Sequence, residues 1–208
     1  MVNLLKADYL NARFLAFTAI NNHQPESGSY ADTGDGARYG TGTSLLTLAQ
    51  RSALDLLDKI ASAATEYFAL GGPPRSVYFR GRWFADKGCT SWHPAVHEEI
   101  VKGNRAFIAL GEICLDLTAG GYLEEKQALR HASTHRFTVL HEGAPPESRS
   151  PFIERHVEAA FARQLIETLQ LVRGALFYFV LAVDLRGARD AGRALRLPLE
   201  VRVRRPAR

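Results

Sequence analysis

Cysteine is scarce in this chain: 208 residues hold two, Cys89 and Cys114. Two thiols cannot build a disulfide framework or a four-thiolate zinc site, so both are expected as reduced thiols of a cytosolic protein. Long apolar runs are lacking too. The best candidate, residues 174–183 (GALFYFVLAV), is bounded by Arg173 and Asp184. It supplies about half of the ~20 apolar residues that a membrane span needs, so it reads as a buried core helix. The first ten residues carry Asn3, Lys6 and Asp8 where a signal peptide needs an apolar stretch. The expectation is a cytoplasmic protein with no membrane partner. At this length a chain buries roughly 70% of its unfolded surface, enough to hold a core without disulfides or a metal. Charged residues make up 23% and hydrophobic residues 46%, which excludes full disorder.

Lysine is also sparse, five against 21 arginines, and the net charge is +4. That charge is unevenly placed. Residues 185–208 hold eight arginines with Asp190 and Glu200, a net +6, so residues 1–184 sum to −2. The high pI belongs to a tail. An arginine-rich tail can bind phosphates, and it can equally be a solvated, partly disordered terminus.

The apolar spacing predicts helices. Leu4, Tyr9 or Leu10, Phe14, Phe17 and Ile20 recur on one helical face over residues 4–20. Residues 21–43 are rich in Gly, Ser, Asn, Asp and Thr and read as a long mobile loop. A helix is expected over 44–70, with Ser44 as N-cap, a stripe of Leu45, Leu48, Leu56, Ile60 and Ala64, and a stop at Gly71-Gly72-Pro73-Pro74. The run VYFRGRWF (77–84) reads as a packed loop. Further helices are expected over 94–118, over 122–140 with Glu124 and Glu125 at its N-terminus, and from Pro151 to about Asp184. No pair of neighbouring strands stands out. The fold class is therefore all-α, an antiparallel bundle of about five helices, with one domain over 1–184 and an arginine-rich tail over 185–208.

Functional side chains are densest in LRHASTHRF (129–137), which holds Arg130, His131, His135 and Arg136, with His141 beyond. Three chemistries fit such a cluster. His131 and His135 are spaced i, i+4 and can face one metal, as can His93 and His97. A zinc-protease helix needs Glu after the first His, and position 132 is Ala, with no third ligand at a characteristic spacing. Alternatively, arginine holds a phosphodiester through paired charge-assisted hydrogen bonds. Histidine takes a proton from a ribose 2′-OH or gives one to the leaving oxygen. Arg130 and His135 are the minimum parts of a metal-independent ribonuclease. A single histidine does not easily serve as both acid and base, which two clusters in a symmetric dimer would resolve. The third reading is a solvated helix face, its basic groups paired with acids such as Glu124 or Glu142.

Arg130-x4-His135 resembles the R-x4–6-H motif of the HEPN superfamily (higher eukaryotes and prokaryotes nucleotide-binding), in which a polar residue follows the Arg; here that residue is His131. The stretches LDLLDKIASAATEYF (54–68), VYFRGRWF (77–84), His93-Pro94, Asn104 and ALRHASTHRFTVL (128–140) come in the order seen in one HEPN branch. In that branch the domain often follows tetratricopeptide-like helices. The resemblance covers residues 1–184. It implies a small helical bundle that dimerises and an RNase of toxin–antitoxin, abortive-infection or CRISPR-linked defence. In such enzymes Arg and His of both protomers meet in one cleft and cut RNA without metal, leaving a 2′,3′-cyclic phosphate and a 5′-OH. On that resemblance Arg130 would bind the scissile phosphate, His135 would be the acid–base residue, and His131 would orient the phosphate. No cofactor or metal is called for. The partners would be RNA, a second copy of the chain, and an antitoxin or sensor protein. A catalytically inactive HEPN module that binds RNA, a nucleotide or a protein is the alternative.

Two departures matter. HEPN toxins silenced by adenylylation carry Tyr two residues after the motif His; this chain has Phe137, without a hydroxyl. The tetratricopeptide-like region is absent, unless the first helix is its remnant. Arg136, Arg80 and Arg82 are further candidates for binding RNA, and Trp83 for stacking on a base. The other reading buries Trp83 and pairs the arginines with Asp58 or Asp55. Asp58, Asn104 and Asp116 fit caps or buried networks, and His93-Pro94 fits a helix entry.

Overall fold

The computed structural model describes residues 1–21, 30, 33–118, 120–121, 137–147 and 150–192. Among them five helices pack with a small sheet: α1 (Val2–Asn21), β1 (Ala37–Arg38), α2 (Thr41–Phe68), α3 (Pro94–Val101), α4 (Ala106–Asp116), β2 (Phe137–His141), β3 (Ile153–Val157) and α5 (Glu158–Asp190). The helical bundle is the fold class that the spacing predicts.

The core forms where α2 lies between α1 and α5. Many of the buried residues of these helices are alanine: Ala12 and Ala16 of α1; Ala49, Ala53, Ala61, Ala63 and Ala64 of α2; Ala175 and Ala182 of α5. Small side chains let helix axes approach closely, and Leu54, Leu56, Leu57, Ile60, Leu165, Val172 and Phe179 fill the space that remains. One polar pair sits inside this packing. The Gln50 amide donates to the Thr168 hydroxyl at 3.2 Å, and that hydroxyl donates to the Gln164 carbonyl at 2.7 Å. It ties one register of α2 on α5, because sliding either helix would leave buried polar groups unpaired.

Helix α1 buries a different face from the one its large residues suggest. Leu5, Ala12 and Ala16 point inwards, while Leu4, Phe14 and Phe17 are 70%, 67% and 66% exposed. Close approach to the alanine-rich α2 favours the small face. Helix α2 starts at Thr41, three residues before the expected Ser44 cap, with Gly40 at φ 121° as its N-cap residue. It ends at Ala69, left-handed at φ 52°, and the Ala69 N–H bonds back to the Thr65 carbonyl. The glycine–proline stop is where the sequence puts it.

The expected helix over 94–118 is two helices. Gly103, at φ 91°, turns the chain between them. Asn104 holds the break, its side-chain amide donating to the Ala182 carbonyl of α5 at 2.9 Å. Glu99, on the last turn of α3, takes a paired contact from Arg189 at 3.0 and 3.2 Å. Between α2 and α3 the aromatic run forms two short 3-10 turns and plugs the bundle. Trp83 is fully buried between Phe79 and Phe107. Phe84 stacks on Trp92 at 4.5 Å, and the two residues form an isolated antiparallel bridge. A Cβ added at Gly111 of α4 would collide with the Trp92 ring, so only glycine permits this loop to dock there.

The sheet departs from the sequence expectation. Residues 137–140 are strand and not helix, and residues 122–136, the rest of that expected helix, lie outside the described residues. β2 pairs antiparallel with β1 (Ala37 opposite His141) and parallel with β3 (Phe137 opposite Ile153 through His141 opposite Val157). Pro151 lies in a turn before β3, and α5 begins only at Glu158. The run FTVLH suits a strand, with β-branched and aromatic residues, but its partner comes a dozen residues later and no local pattern announces it. At its far end α5 continues to Asp190. Arg186 and Arg189, assigned by sequence to the basic tail, therefore belong to the bundle, Arg186 donating to the Tyr67 carbonyl at 2.9 Å. Residues 193–208 lie outside the described residues.

By length and hydropathy α5 meets the measure of a membrane span, contrary to the reading of residues 174–183 alone, and 39% of its most apolar window is buried. Its contacts with α1, α2 and α4 make it the helix around which the bundle is arranged.

Two helix glycines, Gly111 and Gly174, separate by their surroundings. Gly111→Ala should lose about 1–3 kcal/mol, because the Trp92 loop must move. Gly174→Ala of α5 meets open space and should gain up to about 1 kcal/mol of helix propensity. Urea unfolding of the two variants beside wild type checks both signs.

Candidate nucleic-acid interface

Arg130, His131, His135 and Arg136 lie outside the described residues. The segment's exit is fixed one residue later. Phe137 opens β2, its N–H donating to the Phe152 carbonyl at 2.8 Å. Five residues of β2 are then held in parallel register on β3, which runs directly into α5. The phenyl ring of Phe137 is exposed.

A charged clamp closes the other end of this strand. The Arg155 guanidinium donates to the Asp35 carboxylate at 2.9 Å and contacts His141 Nε2 at 3.1 Å. His141 Nδ1 lies 3.1 Å from the Asp35 carbonyl oxygen. A carbonyl only accepts and a guanidinium only donates, so one tautomer satisfies both contacts: Nδ1 carries the proton and Nε2 accepts. His141 is fully buried. The clamp joins the chain before α2, the strand that follows the arginine–histidine cluster, and the strand that enters α5. Hydrogen bonds hold the Asp35 carboxyl at a pKa of about 2, with Thr33 the largest cause and Ala37 and Arg155 adding to it. Arg38 reinforces the same corner through Glu142 at 3.1 Å and Glu158 at 3.4 Å. Sequence reasoning placed His141 beside the cluster without a role, since both its partners come from distant segments.

Arg80 and Arg82 have opposite fates. Arg82 is 8% exposed, and its Nη2 donates to the Leu70 and Gly71 carbonyls at 2.6 and 2.7 Å. It holds the turn that follows α2, and burial pushes its pKa down. Arg82 thus points into the protein and not toward RNA, and buried Trp83 presents no face for a base. Both acids proposed as partners make other contacts. Asp58 accepts the Phe79 N–H at 2.8 Å, and Asp55 lies 3.9 Å from Arg51. Arg80 is exposed, and its backbone carbonyl accepts from the Cys114 thiol at 3.2 Å.

His93 precedes Pro94 at the start of α3, as a helix entry, with its Nδ1 buried and without a hydrogen-bond partner. Burial, then the charge of Arg82, lowers its pKa. His156 of β3 also has its pKa lowered by burial, with Glu154 opposing. Among the described residues no group of three or more His, Cys, Asp or Glu converges as metal ligands.

These shifts set a two-step acid response. A histidine whose folded pKa lies below 6.5 gives full stability above that pH and loses it as pH falls below. Asp35, lowered from 3.8 to about 2, contributes above pH 3.8 and loses that contribution as pH falls through 2. Unfolding midpoints measured against pH should decline first below 6.5 and again below about 4. His156→Asn should reduce the first decline, with His93 left to contribute, and Asp35→Asn should reduce the second, with Asp86 and Glu98 left to contribute.

A protein-family model described as LA2681-like HEPN matches residues 1–186. No curated protein and no solved structure matches the chain. The match spans the five described helices and the sheet up to the last turn of α5. It contains Arg130 and His135 at the spacing of the HEPN motif. The chain belongs to the LA2681-like HEPN family.

Proposed function

We propose that this protein is a metal-independent endoribonuclease that cuts RNA at a composite site built by two copies of the chain. The observation that carries the reading is Arg130-x4-His135 inside the family match. HEPN membership itself supports a nuclease or nucleotide-binding module. The residue chemistry favours the nuclease. Arg130 grips the scissile phosphate through charge-assisted hydrogen bonds. His135 takes the 2′-OH proton or protonates the leaving 5′ oxygen. His131 orients the phosphate. Attack of the 2′ oxygen on phosphorus forms the cyclic phosphate as the bond to the 5′ oxygen breaks. Arg136 and exposed Arg80 add phosphate contacts outside the reacting centre.

A second copy supplies the second histidine that acid and base roles require. On α5, Ile166, Phe177 and Leu181 share a solvent-facing side opposite the buried Leu165, Val172 and Phe179. That face suits self-association. The setting would be a toxin or antiviral effector, with an antitoxin or sensor protein as partner.

Total RNA incubated with purified protein in excess chelator provides the test. Wild type should cleave, and His135→Ala or Arg130→Ala should slow cleavage about 10²–10⁴-fold. Arg80→Ala should weaken RNA binding and lower its salt dependence by about one phosphate contact. Arg82→Ala should instead lower stability. Tight RNA or nucleotide binding with no cleavage by folded wild type would select the inactive binding module.

A further inference from the structure

The two cysteines of the chain lie 25 positions apart and meet in the fold. Cys114 is buried on α4, its thiol donating to the Arg80 carbonyl at 3.2 Å. Cys89 is half-buried on the loop between Phe84 and Trp92 and packs against the core. That loop is docked on α4 by Trp92 over Gly111, one helical turn before Cys114. Its shape is fixed from within. The Ala85 N–H donates to the Ser91 carbonyl at 2.9 Å. The Asp86 carboxylate takes the backbone N–H groups of Thr90 and Ser91 at 3.1 and 2.8 Å and the Ser91 hydroxyl at 2.7 Å. Cys89 is held left-handed, at φ 55°, which only Ala69 shares among the described non-glycine residues. The docked loop brings the Cys89 side chain against the Cys114 thiol. Burial, aided by Cys89, pushes the Cys114 pKa up to about 12, so Cys114 is a poor first nucleophile.

We propose that Cys89 and Cys114 are a reversible redox site, joined by a peroxide into a disulfide that pins the 84–92 loop to α4. The Cys89 sulfur, the less buried of the two, attacks one peroxide oxygen, the O–O bond breaks, and the departing hydroxide leaves as water with the thiol proton. Cys89 is then a sulfenic acid. The Cys114 sulfur attacks the Cys89 sulfur, the S–O bond breaks, and the hydroxyl leaves as a second water with the Cys114 proton. In sum two thiols are oxidised by two electrons, and one hydrogen peroxide is reduced to two waters. Formation of the bond consumes the S–H that Arg80's carbonyl accepts, so the redox state reaches the segment carrying an exposed arginine. The site is independent of the nuclease reading.

Hydrogen peroxide treatment of the folded full-length protein tests the pair, read by intact mass and by a non-reducing digest. Wild type should lose two hydrogens, link the Cys89 and Cys114 peptides within one chain, and regain both thiols in dithiothreitol. Cys114→Ala should stop at a sulfenic acid on Cys89 that a dimedone-type trap captures. Cys89→Ser should leave Cys114 unmodified while folded. Separate oxidation of each cysteine in folded wild type, or linkage only between chains, would overturn the proposal.

Discussion

The structure rests on the close approach of α2 to α1 and α5. Alanines at the contact bring the three helices together, and the larger residues fill what is left. The Gln50–Thr168 pair fixes the register inside an otherwise apolar seam. Once that seam is set, the other parts have a surface to attach to. The 69–93 segment plugs one side through Trp83 and Phe79, and α4 follows onto α5 with α3 packed on α4. The same seam explains why α1 turns its phenylalanines outwards. Two helices meeting through alanine exclude large side chains from the contact, whatever their hydrophobicity.

Polar groups then lock the attachments that apolar packing leaves free to slide. Arg82 holds the turn that follows α2, and Asp58 anchors the Phe79 turn. Asn104 and the Glu99–Arg189 pair hold the break between α3 and α4 against α5. Asp35, His141 and Arg155 tie three distant segments at the sheet. Each is a hydrogen-bonded and at least partly buried arrangement, where losing one partner costs more than the pair contributes. The strand after the arginine–histidine cluster is thereby held at both ends, by β3 pairing at Phe137 and by the clamp at His141.

Much of this was legible in the sequence, for reasons that mark its limits. The helix content, the stop after residue 70, the packed aromatic run and the His93-Pro94 entry are local signals of spacing, glycine and proline. The family resemblance rested on short stretches in order, and the family match agrees with it. What escaped is non-local. The apolar stripe of α1 identified a helix but chose the wrong face, because spacing does not say which side meets alanines. Residues 137–140 continued a helical pattern on paper, yet pairing with residues 153–157 makes them strand. Gly103 breaks what the spacing runs together as one helix over 94–118, while Asn104 takes the buried-network role its residue type suits, with the Ala182 carbonyl as partner. Arg80 and Arg82 are two positions apart in one motif, and only burial separates an exposed cation from a structural one.

On the proposed function, the family scaffold would carry a phosphodiester chemistry that needs no group beyond the chain and its RNA. The 2′-OH would be the attacking nucleophile, with Arg130 and His135 at the phosphate. The most direct measurement uses an oligoribonucleotide in which the residue on the 5′ side of a mapped cleavage site carries deoxyribose. The account predicts that cleavage stops at that one linkage and continues elsewhere, and that the unmodified control ends in a 2′,3′-cyclic phosphate. Cleavage at the deoxy linkage, or 5′-phosphate ends from the unmodified RNA, would contradict it.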